Sequence, residues 1–267
     1  MGIDRPRATS SSSVRATRPL AYTETGAGPP VVLLHGLTCN SAYWLRVVSL
    51  LPGRRVIALD FGGHGLSEHR KSYAYADYER DLLSLLDELG LDRVSVAGHS
   101  LGGYVALLAA TRSDRIAAVL AMDVKSDWTD ADAELADRSR SAEQRIEPGR
   151  DALVGRLART LQPVTLSADE LDVVAERSLE QVGEGWRFRW DRRVLATEPV
   201  DPFAFLSVVR CPVHVLAGVE SDVMPREAAE RFAAAIPGAT LELVDGVGHH
   251  VELEAPERVA ARALDLV

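Results

Sequence analysis

Ser100 stands between Gly98 and Gly102 in the stretch VSVAGHSLGGYVALLAA, which runs from Val94 to Ala110. Upstream, the small and β-branched residues Val94, Val96 and Ala97 predict a strand; downstream, Tyr104, Leu107, Leu108 and Ala110 belong to a helix-forming run. A serine at such a joint has a chemical use. The sharp turn strains its backbone and lifts the hydroxyl out of the sheet, while the Leu101 N–H and the helix N-terminus aim at any negative charge that develops there. Gly98 and Gly102 are needed because a Cβ would clash in so close a turn. A serine hydroxyl is a weak nucleophile at neutral pH, so it needs a base for its proton and donors for the oxyanion that follows attack. Gly98-His99-Ser100-Leu101-Gly102 is therefore read as a G-x-S-x-G nucleophile elbow, with Ser100 as nucleophile and the Leu101 N–H as an oxyanion donor.

The elements around this turn repeat its form. PPVVLLHG, RRVIALDFGGHG and RVSVAGHS are short apolar runs that end in a loop, and RIAAVLAMD, CPVHVLAG and ATLELVDGVGHH supply three more. Runs apolar at every position suit strands buried on both faces. Helical patterns lie between them. In YERDLLSLLDELG, Tyr78, Leu82, Leu85, Leu86 and Leu89 share one face and Gly90 is placed to end the helix. REAAERFAAAI and APERVAARAL read likewise, the second with Pro256 in its first turn. The expected fold class is α/β: a mostly parallel central sheet with helices on both faces and chemistry in the loops beyond the carboxyl ends of the strands.

From about residue 125 to 206 the alternation stops. TDADAELADRSRS, GRDALVGRLARTL and SADELDVVAERSLEQV read as helices, the last opened by a Ser167–Glu170 capping box. Trp128, Trp186, Trp190, Phe188, Phe203 and Phe205 fall in this stretch. It is expected to be an inserted helical cap over the strand ends, with Trp186, Phe188 and Trp190 as substrate-binding residues. The expected organisation is a disordered tail over 1–16, a core over 17–124 and 207–267, and the cap over 125–206.

Composition excludes several classes. The 267 residues carry a net charge of −9, against the basic stripe that nucleic acid or an anionic membrane would require. No apolar run is long enough to span a bilayer, and the first residues lack the apolar segment of a secretory signal. Cys39 and Cys211 make neither a disulfide framework nor a metal pair, which points to reduced thiols and a cytoplasmic protein. His35, His64 and His99 show no metal-ligand spacing, and Gly62, Gly63 and Gly65 lack the order of a dinucleotide loop. No metal and no cofactor are expected, and the partner is a small molecule.

Taken together, these segments resemble the α/β-hydrolase superfamily, in its serine-nucleophile branch with a helical cap. The resemblance covers nearly the whole chain outside the tail and cap. His35-Gly36 is similar to the family's oxyanion loop, which makes the Leu37 N–H the second donor. Asp60 to Ser67, DFGGHGLS, resembles the D-x-x-G-H-G-x-S stretch. GVESD places Asp222 at the family's acid, and GVGHH places His249 at its base. Asp123 is the alternative acid, because it ends the strand AAVLAMD, and His250 is the alternative base.

The resemblance implies a serine hydrolase acting through Ser100, His249 and Asp222 by way of an acyl-enzyme, on an ester, lactone or thioester of a small to medium apolar substrate. A serine at the elbow argues against the haloalkane dehalogenases and epoxide hydrolases of this fold, which use aspartate. Carbon–carbon bond hydrolysis, hydroxynitrile lyase-like chemistry and perhydrolysis use the same triad. A ligand-binding receptor or scaffold on the same fold is the non-enzymatic alternative.

Overall fold

A computed structural model describes residues 13–17, 19–141, 143–197 and 200–266. Eight strands form one sheet in the order β1-β2-β4-β3-β5-β6-β9-β10. They are β1 Ser13–Thr17, β2 Leu20–Thr25, β3 Pro30–Leu34, β4 Arg55–Asp60, β5 Val94–His99, β6 Ile116–Met122, β9 Val213–Gly218 and β10 Thr240–Val244. β1 and β2 pair antiparallel, and the six strands from β4 to β10 are parallel. Residues 13–16, expected in the tail, are strand instead: β1 runs against β2 from Ser13↔Glu24 to Thr17↔Leu20. Val14 and Thr17 are β-branched and favour extended backbone. Residues 1–12, the rest of that expected tail, lie outside the described residues.

The strands are apolar at every position because both faces are covered. Along β3, Val32 and Leu34 enter one core, with Tyr78, Leu82, Val105 and Phe232. Val31 and Leu33 enter the other, with Trp44, Val47, Val259 and Ala263. The two-residue period thus feeds two cores from one strand. The first core takes helices α2 Tyr75–Glu88, α3 Leu101–Ala110 and α8 Arg226–Ala234; the second takes α1 Leu45–Val48 and α10 Pro256–Asp265.

β3 pairs with β4 on one side and β5 on the other. The strand order therefore reverses between β3 and β5, and the loops after these strands carry Leu37 and Ser100. A switch point of this kind opens a crevice at the strand ends where ligands bind.

Between β6 and β9 the chain builds the cap. It holds α4 Asp130–Arg140, α5 Arg150–Thr160, α6 Ala168–Ser178, a hairpin of β7 Leu179–Val182 with β8 Gly185–Phe188, a 3₁₀ turn over Arg192–Ala196, and α7 Phe203–Leu206. The hairpin departs from the all-helical expectation: WRF in β8 alternates and pairs back on LEQV, Leu179 opposite Phe188. A third apolar cluster joins Leu153, Leu157, Val174 and Phe188 of the cap to Cys39, Tyr43 and Leu253 of the core. Polar ties add to it. Arg46 donates to both oxygens of Glu170 (2.7 and 2.9 Å) and to the Leu253 carbonyl (2.6 Å). The Tyr73 hydroxyl donates to Asp191 (2.8 Å), and Asn40 to Ser178 (2.8 Å). Among the described residues, no helix is long and apolar enough to cross a membrane.

Candidate active site

Ser100 sits between β5 and α3 with φ +50° and ψ −114°. An L-residue at such angles carries strain on the order of 1–3 kcal/mol and persists only where its surroundings enforce it. The enforcement is close packing. A Cβ on Gly98 would lie 2.3 Å from the backbone of Gly102, and one on Gly102 would lie 2.2 Å from the Leu34 carbonyl oxygen. The elbow is also pinned to its neighbour strand, since the Ser100 N–H donates to the Met122 carbonyl at 2.8 Å. Leu101 opens α3, so its N–H lies outside the intrahelical ladder. Leu37 follows β3 in a turn closed by Cys39 N–H to the Gly36 carbonyl (3.2 Å), with Thr38 at φ +64°.

Met122 leads directly to Asp123, which is fully buried at the end of β6 and has φ +46°. The Nδ1 of His249 lies 2.6 Å from Asp123 Oδ1. Ser221 Oγ donates to the same oxygen at 2.6 Å, and the Gly218 N–H donates to Oδ2 at 3.3 Å. Ser221 Oγ in turn accepts from the N–H groups of Val223 (3.2 Å) and Met224 (3.3 Å). A carboxylate only accepts, so His249 carries its proton on Nδ1 and keeps a lone pair on Nε2. The carboxylate paired with His249 is thus Asp123, the alternative acid of the sequence reading, and not the expected Asp222. Asp222 is exposed, and it is the preceding residue, Ser221, that turns inward, as a donor to Asp123.

The histidine loop lies against the end of β9. A Cβ on Gly218 would meet the carbonyl oxygens of Val247 and Gly248 at 2.2 and 2.3 Å. His99, next to Ser100, donates from Nε2 to the His249 carbonyl (2.9 Å), and the two rings stand 4.5 Å apart. The loop that carries His249 is thereby held at the elbow. Burial pushes the His99 imidazole down to about 3, so it is neutral at pH 7. His250 turns away from Asp123, and its Nδ1 lies 3.2 Å from Glu252 Oε1. Burial works against the ionised Glu252 carboxyl, yet it is held down at about 2, with the His250 hydrogen bond among the causes.

The remaining motif residues are structural. His35 donates from Nδ1 to the Gly36 carbonyl (2.7 Å) and accepts the Phe61 N–H on Nε2 (3.0 Å). Asp60 accepts the N–H groups of Ser41 (2.7 Å) and Leu66 (3.0 Å) and lies 3.5 Å from buried Arg177 of the cap.

Ser100 opens on a cavity of about 170 Å³ lined by Leu37, Leu101, Tyr75, Tyr104, Val124, Lys125, Trp128, Asp132, Leu135, Leu195 and Thr197. The lining is mostly apolar. Its one charged pair is Lys125 Nζ to Asp132 Oδ1 (2.6 Å), and Lys125 also lies 5.2 Å above the Trp128 ring. Trp186, Phe188 and Trp190, expected to line the pocket, are not on this cavity. Phe188 is buried in the cap–core cluster with Trp186 and Trp190 packed against it. Phe188 and Trp190 line a separate cavity with Thr38, Tyr43 and Ser178. Both sit on or just after the β8 edge, which packs toward α5, whereas Trp128 lies only five residues beyond Asp123. Proximity in sequence to the end of β6 was the available signal for Trp128.

A model of the alpha/beta hydrolase family matches residues 31–262. The chain is 28% identical to a serine hydrolase-like protein of Danio rerio over 271 residues, covering 90% of this chain and 82% of that protein. It is 29% identical to a putative carbamate hydrolase, RutD, of a Caulobacter species over 260 residues (92% and 95% covered). The crystal structure of an E-2-(acetamidomethylene)succinate hydrolase superposes with a TM-score of 0.85 at 24% identity, over 96% of this chain and 99% of that one. The family match spans every strand from β3 to β10, the strained turn at Ser100 and the Asp123–His249 pair, and by it the chain belongs to the alpha/beta hydrolase family.

Proposed function

We propose that the protein is a serine hydrolase that cleaves carboxylic esters, lactones or thioesters of small to medium apolar acyl groups. The observation that carries this reading is the Asp123–His249 pair, 2.6 Å apart, beside a serine strained at φ +50° on an apolar cavity. Ser100 Oγ attacks the substrate carbonyl and its proton passes to His249 Nε2. Asp123 holds the ring in the Nδ1–H tautomer and offsets the charge of the imidazolium. The Leu37 and Leu101 N–H groups receive the tetrahedral oxyanion. Collapse expels the leaving group, which takes the proton back from Nε2 and leaves an acyl ester on Ser100. Water then attacks that ester, giving its proton to His249, and a second collapse frees the acid and restores the serine. No metal or cofactor enters these steps.

The relatives named as hydrolases support the reaction class, and the two unbridged cysteines, Cys39 and Cys211, support a reducing, cytosolic setting. The test is labelling with a fluorophosphonate, followed by a panel of p-nitrophenyl esters, lactones and acyl thioesters. The wild-type chain should label and the Ser100→Ala variant should not. A folded wild-type protein that fails to label would place it among the receptors and scaffolds.

A further inference from the structure

His99, His250 and Glu252 bring two imidazoles and one carboxylate together behind the histidine loop, with one ligand atom from each within 4.8 Å of the others. None of the three has a part in the acyl-transfer steps above. His99 and Glu252 are each 1% exposed. Because the His249 carbonyl can only accept, His99 carries its proton on Nε2, and its Nδ1 presents a bare lone pair. That lone pair faces Glu252 Oε1 at 3.5 Å. Two acceptors oppose each other in a dry site, and His99 Nδ1 has no hydrogen-bond partner; neither has the second carboxylate oxygen, Oε2. Buried polar atoms are seldom left in this condition, and two of them facing one space are a place for an ion.

The spacing says which ligand. Bonds of about 2.1 Å at a tetrahedral angle set neighbouring ligand atoms about 3.4 Å apart. His99 Nδ1 and His250 Nδ1 lie 3.5 and 3.2 Å from Glu252 Oε1. Gly36 packs against this nitrogen, where a Cβ would lie 2.8 Å from it. His250 is the most exposed of the three, at 17%. Two imidazoles and one carboxylate select borderline cations such as Zn²⁺, Cu²⁺ or Ni²⁺ over Mg²⁺ and Ca²⁺.

We propose that His99 Nδ1, His250 Nδ1 and Glu252 form a site for a borderline divalent transition metal. The ion takes the place of the His250 Nδ1 proton, which moves to Nε2 of the same ring, and water completes the shell. This binding does not rest on the proposed function.

The experiment titrates ZnCl₂ into the full chain by calorimetry and thermal shift, with MgCl₂ in parallel. Expected is one Zn²⁺ per chain at micromolar affinity, reversed by EDTA, and no response to Mg²⁺. His250→Ala and Glu252→Gln should each weaken Zn²⁺ at least tenfold. His250→Ala, at the partly exposed position, keeps the test valid if the buried Glu252→Gln variant fails to fold. His249→Ala and Cys39→Ser should keep the affinity. Absence of Zn²⁺ binding up to millimolar concentration would overturn the site, as would tight binding untouched by His250→Ala or abolished by His249→Ala. A chain that binds Zn²⁺ as expected yet neither labels with fluorophosphonate nor turns over any ester would count against the proposed function and not against the metal.

Discussion

His249 donates from Nδ1 to Asp123 Oδ1 over 2.6 Å, joining the loop after the edge strand β10 to the end of β6. β6, which carries Asp123, pairs directly with β5, which carries the elbow; β9, which leads to Asp222, is one strand further away. The carboxylate that meets the histidine thus comes from the strand beside the elbow and not from the strand beside β10, and its own backbone stands at φ +46°. The Ser221 hydroxyl, from the β9 loop, buttresses that acid at 2.6 Å. The loop after β9 thus supplies a hydroxyl where the sequence reading had placed the carboxylate.

Exchanging the carboxylates tests this arrangement. Asp123→Asn keeps the shape of the side chain but offers an amide to Nδ1 and favours the wrong tautomer, so kcat should fall on the order of ten-thousandfold. Asp222→Asn, at an exposed position, should stay within about threefold of wild type, since a surface substitution is near neutral. Steady-state kinetics on a p-nitrophenyl ester, with near-UV circular dichroism to show that both variants fold, reads the difference. The reverse ranking would return the acid to the β9 loop.

Ser221 should act through Asp123. Removing a hydrogen bond to a charged group costs about 1.5–3 kcal/mol. Part of that loss is recovered, because the Gly218 N–H still reaches the carboxylate. Ser221→Ala should lower kcat about tenfold with KM nearly unchanged, and Ser221→Thr should restore most of it. A change in KM alone, with kcat intact, would show that the hydroxyl serves the loop and not the acid.

The sheet and the elbow were readable in the sequence because their signals are local. Val31 to Leu34 is apolar at every position since each strand face meets its own core, and Gly98 and Gly102 announce a close approach that the backbone geometry requires. The acid was not readable in the same way. Asp123 and Asp222 both follow apolar strands, and which one meets the histidine depends on strand order, a non-local property. The cap aromatics failed for a related reason. Trp186, Phe188 and Trp190 cluster in sequence, but β8 turns them into the cap–core seam, while Trp128 enters the cavity directly from the end of β6. Glu252 passed unnoticed because its environment comes from His99, 153 positions earlier in the chain.

The cap should loosen in acid through one ion pair. Two hydrogen bonds from Arg46, with the Ser167 N–H behind them, hold the Glu170 carboxyl down at about 2 from its ordinary value of 4.5. A depressed carboxyl stabilises the folded state above its unfolded value, and that stabilisation is lost as pH falls through the folded value. The contribution is thus full above about pH 5 and declines from there toward about pH 2. Glu170→Gln should melt lower than wild type at pH 7, and the gap should narrow below about pH 4.5 and close only as the pH approaches about 2. Thermal melts of both proteins across that range, with limited proteolysis between residues 160 and 170 as a reporter of cap opening, check it. A gap that stays constant with pH would mean that Arg46 ties the cap through the Thr165 carbonyl alone.

Acyl-chain selectivity should reside in Trp128 and not in the tryptophans further along the cap. The Trp128 indole borders the Ser100 cavity together with Tyr75, Tyr104, Leu135 and Leu195, and Lys125, fixed by Asp132, lies over its ring. Replacing it by alanine enlarges a cavity of about 170 Å³ without touching the elbow. One methylene in an apolar pocket discriminates by about 1–3 kcal/mol. Trp128→Ala should therefore raise KM for acetyl and butyryl esters and shift the kcat/KM preference toward longer acyl chains by about tenfold or more. Trp186→Ala removes packing from the seam between cap and core, so it should lower the melting temperature by a few degrees and leave the chain-length profile alone. Kinetics over p-nitrophenyl esters from two to ten carbons, with melts of both variants, separate the two roles. If Trp186→Ala moves the profile and Trp128→Ala does not, the acyl chain runs toward the hairpin, and the cavity beside Phe188 and Trp190 is the one that holds it.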